Sequence, residues 1–322
     1  MAKPILALVG GQTLLGREIS EIAKGFDIRP MDTTDNEGKT LVRGEDELAL
    51  MSPVDKDVVA SAAVVMLAGD LDSSAKVRRM RNSNVIDLTG VLEVDPKSRL
   101  RAPLAEAPGV ESAGVQVIAH PAASMLALFY RSLHAVSPIL RSVANVYHPA
   151  SEFGTAALTE LQQQTTGLLT FQNVPKKLFD AQAAFAMLAR LGEDSPHKLE
   201  KVELRIERNL VTLLAGSVPL PSLRLSQAPV FHGLSASVWI EFEAVPDLKR
   251  LMKTLSAAGL DVRGKDLDPP NNVQASSQDG VAVGAIEVDR NSPNAAWFWL
   301  VADNNRLTAQ NAILVAKELV KS

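Results

Sequence analysis

Val117-Ile118-Ala119-His120-Pro121-Ala122-Ala123-Ser124-Met125-Leu126-Ala127-Leu128 joins two patterns: an apolar, strand-like run and, after a proline, a helical one. Met125, Leu126, Leu128, Phe129 and Leu133 continue it at the spacing of a buried helix. Backbone N–H groups at such a helix start stabilise negative charge and lower the pKa of a thiol placed there. The positions that could hold one read His120, Pro121, Ala122, Ala123 and Ser124. The junction is present and the thiol is not.

Upstream, Ile5–Val9 is a continuous apolar run between Pro4 and Gly10, as in a buried parallel strand. Gly10-Gly11-Gln12-Thr13-Leu14-Leu15-Gly16 follows, then Leu15, Ile19, Ile22 and Ala23 at helical spacing, with Gly25 as the stop. Strand, glycine turn and helix form the opening of a dinucleotide-binding unit. Asp32, closing the strand expected over Ile28–Asp32, has two readings. It stands where an acidic residue hydrogen-bonds a ribose and repels a 2′-phosphate, or it begins the polar turn DTTDNEGK, the commoner outcome. Val58–Leu67 reads as another strand, ending at Ala68-Gly69-Asp70, and Val85-Ile86-Asp87 as a short one. Asp72-Ser73-Ser74 could cap a helix over Lys76–Arg81, whose Lys76, Arg78, Arg79 and Arg81 read as a solvated charged face rather than an anion site.

Downstream, Ser142–Tyr147 and Val202–Ile206 look strand-like, and Gly154–Gln164 helical. Ser235–Glu243 alternates through Val238, Ile240 and Phe242. Pro246 opens a helix with Leu248, Leu251, Met252 and Leu255 on one face, closed by Gly259. Asp261–Gln278 reads as a loop, Val281–Val288 and Ala296–Val301 as strands. Ala312, Val315, Ala316 and Leu319 mark the last helix. Trp239, Trp297 and Trp299 fall on strand-like runs, fitting a sheet face packed on a core or on a second subunit.

Composition narrows the functions. A chain of 322 residues is long enough for about two domains without disulfides or metal. Its net charge of −4, with no basic block, argues against nucleic acid and anionic membranes as partners. The absence of cysteine excludes disulfides, thiolate metal sites and thiol catalysis together. His134 and His197 have no ligand partner at a metal spacing, and no metal site is expected. MAKPILALVGG reads as a first strand rather than a signal peptide, and no apolar stretch is of membrane-spanning length, so a cytoplasmic protein is expected.

Four segments in order carry a resemblance: the Gly10–Gly16 turn, the Val117–Leu128 junction, Ala228-Pro229-Val230-Phe231-His232-Gly233-Leu234, and Val301-Ala302-Asp303-Asn304. Together they resemble the aspartate-semialdehyde dehydrogenase family over nearly the whole chain. The resemblance implies an α/β protein: a Rossmann-like domain over 1–122, joined by the C-terminal helix 303–322, and a mixed α+β dimerisation domain over 123–302. It also implies a homodimer and NAD or NADP as cofactor. The residues expected at the cofactor are Gly10, Gly11, Gln12, Thr13, Leu14, Leu15, Gly16, Asp32, Ala68, Gly69 and Asn304. Thr13 departs from the family loop, G-A-T-G-x-V-G, at its middle glycine. A side chain there stands where the pyrophosphate approaches the backbone, which weighs against binding.

The family reaction, reductive dephosphorylation of an acyl phosphate, uses a thiolate that forms a thioester, a histidine base and a substrate-binding arginine. By resemblance these positions hold Ala123, Leu234 and Gln227 in this chain. The family's active-site glutamine falls on His148, expected to act as a structural hydrogen-bonding group. Glu152 and Phe153 replace small residues and should narrow the cavity. Ser124 is expected to cap the helix at the junction rather than to pair with His232 as a substitute nucleophile and base. His120 reads as a turn or interface residue, and His134 and His197 as non-ligands. The resulting expectation is a catalytically degenerate family member serving as a binding or regulatory protein. The alternative is an active NAD(P)-dependent oxidoreductase on a semialdehyde or other carbonyl substrate that works without a thioester.

Overall fold

The computed structural model describes residues 2–32, 40–43, 47–69, 77, 80, 82, 84–107, 109 and 114–321. The helix expected over Lys76–Arg81, and the turn after Asp32, lie outside the described residues apart from Val77 and Met80. The chain folds into two units, Met1–His120 with Thr308–Ser322, and Pro121–Leu307.

In the first unit β1 (Ile5–Val9), β2 (Asp27–Asp32), β5 (Ser52–Pro53), β6 (Val64–Leu67), β7 (Val85–Asp87), β8 (Ser98–Arg101) and β9 (Val115–Ile118) form one sheet. Its order is β5-β2-β1-β6-β7-β9-β8, and every pairing is parallel. A small hairpin, β3 (Thr40–Arg43) with β4 (Glu47–Leu50), stands apart from it. β1 lies inside the sheet and is buried on both faces, which is why its sequence is apolar without alternation. Leu6 and Leu8 pack with Ile19 of α1 (Leu14–Ile22) and with Ala309, Ala312, Ile313 and Ala316 of the last helix, α8 (Asn304–Lys321). Ala7 and Val9 face the other way, onto Val59, Val65 and Leu67. The last helix thus returns to the N-terminal sheet.

One strand reading fails here. Lys56–Ser61 is a helix, α2, and only Val64–Leu67 of the expected Val58–Leu67 strand is extended. Asp55 decides this, because its carboxylate accepts the amides of Asp57 and Val58 and caps the helix start. Buried Arg101 then ties α8 to the sheet. Its guanidinium donates to Glu106, Glu318 and Gln116 at 2.7, 2.6 and 3.2 Å. Burial alone pulls the pKa of Arg101 down, but Glu106 and Glu318 outweigh it and hold the pKa above the ordinary value.

The second unit begins with α3 (Pro121–His134) and holds a six-stranded mixed sheet: β11 (Ser222–Gln227), β10 (Ile139–His148), β12 (Leu234–Phe242), β15 (Ala295–Ala302), β14 (Ala282–Val288) and β13 (Asp261–Val262), in that order. β10/β11 and β13/β14 are parallel and the others antiparallel. The remaining helices are α4 (Gly154–Leu169), α5 (Leu199–Leu214), α6 (Leu248–Ala257) and the short α7 (Asn272–Ala275). Phe129 of α3 meets Phe298 of β15 edge-on, 5.1 Å between ring centres, inside this core.

Three further readings are corrected. Val202–Ile206 is helical, because Leu199, Ile206, Leu210, Leu213 and Leu214 are buried at helical spacing and a five-residue apolar window mimics a strand. The expected Asp261–Gln278 loop contains β13, paired to β14, and α7, whose Asn271 cap accepts from Val273 and Gln274. The helix expected to open at Pro246 begins after Asp247, which accepts the amide of Arg250.

Candidate functional site

In the first unit, the turn after β1 is as tight as its glycines imply. Gly10 has φ +89°, and a Cβ there would lie 2.2 Å from the Gly69 nitrogen. A Cβ on Gly16 would lie 2.2 Å from the Gly10 carbonyl oxygen, so α1 sits directly against the turn. Thr13 caps that helix. Its hydroxyl oxygen accepts the Gly16 amide at 2.9 Å and lies 2.8 and 2.9 Å from the carbonyl oxygens of Gly10 and Ala68, to which it donates. The hydroxyl is therefore turned toward the strand ends and engaged by the loop's own backbone. Gln12 donates its amide to Asp32, 3.4 Å away, and takes a hydrogen bond from Arg17 on its side chain at 2.9 Å. Asp32 is buried at the end of β2. Gly10–Gly16, Asp32, Ala68 and Gly69 thus lie together in this unit. Asn304 lies in the second, where it is buried and accepts a hydrogen bond from Ser151.

In the second unit, Ala123 occupies the third position of α3, fully buried. Ser124 is the fourth residue of the same helix, not its cap, and its buried hydroxyl has no hydrogen-bond partner among the described residues. The expected capping role is therefore corrected: the helix begins at Pro121, four residues too early for Ser124 to stand at the cap position. Leu234 opens β12 opposite Ala302, with no solvent exposure.

Gln227 and His148 are register partners across β10 and β11. The Gln227 side-chain amide donates to the carbonyls of His148 and Ala228 at 2.9 and 3.0 Å. That fixes the amide orientation and leaves Gln227 Oε1 3.3 Å from His148 Nδ1, which donates in the matching tautomer. Gln227 also exchanges backbone hydrogen bonds with Leu188. The other ring nitrogen of His148 lies 4.0 Å from Glu152. Phe153 lies between two imidazoles, with ring centres 4.7 Å from His148 and 4.3 Å from His197, nearly parallel to the latter. Burial pushes the His197 pKa down. Of the other histidines in this unit, His134 accepts the Ile139 amide on Nδ1 and His232 is half-buried.

Two residues that sequence reasoning missed organise this cluster. Glu160 and Gln164 lie one turn apart on the buried face of α4. The Glu160 carboxylate accepts the amides of Lys177, Leu178 and Phe179. Gln164 accepts from Ala183 and Ala184 and donates to the carbonyls of Pro175 and Ala181. The segment they hold carries Phe179, which meets Phe153, and Leu188, which pairs with Gln227. The available signal was polar side chains at i, i+4 on the face that Ala157 and Leu161 mark as buried.

The family model for the semialdehyde dehydrogenase dimerisation domain matches residues 132–307. The chain belongs to the aspartate-semialdehyde dehydrogenase family. An aspartate-semialdehyde dehydrogenase of Rickettsia bellii is 27% identical over 331 residues, 98% of each chain. A USG-1 protein homolog of Pseudomonas aeruginosa is 28% identical over 260 residues, 77% of this chain and 75% of that one. Among solved structures, a probable aspartate-semialdehyde dehydrogenase from Pseudomonas aeruginosa superposes with a TM-score of 0.89 at 25% identity, covering 99% of both chains. Both the parallel sheet of the first unit and the mixed sheet of the second belong to this semialdehyde dehydrogenase fold. Among the described residues, no helix is long and apolar enough to cross a membrane.

Proposed function

We propose that this family member does not run the thioester reaction of the semialdehyde dehydrogenases and acts as a homodimeric binding or regulatory protein. The observation that carries the reading is the first turn of α3, Pro121-Ala122-Ala123-Ser124, in a chain with no cysteine anywhere. The reaction needs a soft nucleophile that attacks a carbonyl carbon, takes up the acyl group as a thioester after hydride transfer, and leaves when phosphate attacks. A methyl group on Ala123 does none of this. Ser124 would need an adjacent base, and its hydroxyl has no hydrogen-bond partner among the described residues.

The other two positions support the same reading. Leu234 offers no proton acceptor, and Gln227 offers no charge to a substrate carboxylate. Gln227 is committed to His148 and Ala228, so its polar atoms satisfy the protein rather than a ligand. Phe153 and Glu152 add bulk and charge beside His148. A relative known as a USG-1 protein homolog, beside relatives with the enzyme's name, is consistent with chains of more than one role sharing this fold.

Dimerisation is assigned to the outward face of the second unit's sheet. Val143, Trp239 and Trp297 stand in one row across β10, β12 and β15, with Val143 38% and Trp297 41% exposed. Both indoles donate to one Asp289 oxygen at 2.9 Å, which holds them in place. Such a rigid aromatic row suits a protein interface.

The test is a coupled assay of the full chain with aspartate semialdehyde, phosphate and either nicotinamide dinucleotide. No turnover above background is expected. Turnover that survives rigorous purification overturns the reading and points to hydride transfer without a thioester. Ala123→Cys with Leu234→His and Gln227→Arg is expected to restore activity at most partially, since Thr13, Glu152 and Phe153 remain.

A further inference from the structure

At the β13 edge of the second unit's sheet lies a cavity of about 290 Å³, walled by β13, α7, the turn before β14 and the end of β15. None of Ala123, Leu234, Gln227 or His148 lines it. We infer that it binds a free α-amino acid with an uncharged aliphatic side chain, its ammonium held at Asp303 and its carboxylate at Arg263. Binding there needs neither thiol nor base, so this proposal stands or falls separately from the one on catalysis.

The cavity carries charges of both signs, and they are unequally balanced. Asp261 pairs with Arg263 at 3.0 Å, and Asp279 with Arg306 at 2.6 Å. Asp303 is answered differently. Its carboxylate accepts the amides of Ser277 and Arg306 at 2.8 and 3.0 Å, and it meets no cationic side chain among the described residues. It is only 6% exposed. The start of α8 supplies about half an elementary charge, so roughly half stays unbalanced in a buried place. An ammonium in the cavity, with three protons to donate, completes the balance.

The form of the ligand follows from the other walls. Among the described residues the three aspartates do not gather their oxygens around one point, which argues against a metal ion. Arg263 turns Nε to Asp261 and Nη1 to Gln274 at 3.0 and 2.8 Å, while Nη2 donates to nothing among the described residues. A guanidinium with an open edge takes a carboxylate. The rest of the lining is apolar: Pro270, Ala275, Ala282, Val301 and Ala302. It suits a short aliphatic side chain, and a third ligand charge would find the remaining carboxylates already paired. Small-molecule pockets run from about 300 to 1,000 Å³, so this one stands at the small end and admits a single amino acid rather than a nucleotide or a peptide.

The experiment titrates glycine, L-alanine, L-valine and L-leucine into the full-length protein by calorimetry. Tryptophan emission is a second readout, because Trp299 Nε1 donates to the carbonyl of Pro270 in the cavity wall at 3.0 Å. At least one of the four is expected to bind with a Kd below about 1 mM. Its N-acetyl derivative lacks the ammonium and its amide lacks the carboxylate, and each is expected to bind at least about tenfold more weakly. Asp303→Asn and Arg263→Gln are each expected to lose at least about tenfold in affinity, whereas Arg208→Gln, exposed on α5, loses none. The proposal is overturned if none of the four reaches that affinity, or if either derivative or either folded variant loses less than stated. A derivative that binds as well as the free amino acid would make this a site for a chain terminus instead. Asp303 also holds the Arg306 amide at the start of α8, so if Asp303→Asn does not fold by circular dichroism, Arg263→Gln and the two derivatives decide.

Discussion

Replacing Glu160 by alanine tests whether two side chains of one helix hold the 175–188 segment in place. The carboxylate accepts three backbone amides, from Lys177 and Leu178 at 2.9 and 2.8 Å and from Phe179 at 3.2 Å. Hydrogen bonds to an ionised acceptor contribute about 1.5–3 kcal/mol each, and a buried donor left without a partner costs about 1–3 kcal/mol. Lys177 is exposed and Leu178 half-exposed, so water recovers most of their share. Phe179 is fully buried, so its amide stays orphaned. The sum is a local destabilisation of about 3–5 kcal/mol. Native-state hydrogen exchange should then show the amides of 177–184 and Leu188 losing protection by two to four powers of ten, with the amides of β12 changed far less. Glu160→Gln, which keeps one acceptor oxygen, should fall between. Because Leu188 bridges Gln227 and Phe179 meets Phe153, the alanine variant should also loosen the Gln227–His148 pair. Unchanged protection across 177–188 would show that the segment is held by its own packing, and the reasoning from Glu160 would be wrong.

Four other outcomes follow from the same structure. Arg101→Met should cost about 3–5 kcal/mol in urea unfolding, since it leaves Glu106 inside the first unit without its cation, and should expose α8 to proteolysis. His197 has its pKa lowered by burial, so the unfolded chain binds the proton more readily; stability should fall as pH drops below about 6.5, reach a plateau above it, and lose part of that slope in His197→Phe. Asp289 is held below the usual carboxylate range chiefly by the Asn291 amide, then by the two indoles, so tryptophan emission should stay constant down through about pH 3.9 and change only below it. Trp297→Glu should shift the protein from dimer to monomer in sedimentation velocity without altering its far-ultraviolet dichroism.

The order of elements was legible from local pattern. Ile5–Val9, the Gly10–Gly16 turn, Ser142–Tyr147, the alternation of 235–243 and the last helix each carry a period or a punctuation that needs no tertiary contact to read. The absent thiol was legible too, since a missing residue type is a property of composition alone. Short apolar windows were not: Val58–Ser61 and Val202–Ile206 became helical because a cap at Asp55, and burial repeating through Leu214, outweighed β-branched content. Nor could the chain by itself say where a polar side chain finds its partner. Thr13 turned inward because two strand ends meet beneath it, Gln227 closed on His148 because β10 and β11 pair in one register, and Glu160 became a clasp because a segment 17 to 19 residues on returns to its helix. Periodicity reports which face of an element is apolar. Hydrogen-bond partners distant in sequence are chosen only when the chain closes on itself, because each bond depends on angles and separations that local pattern does not contain.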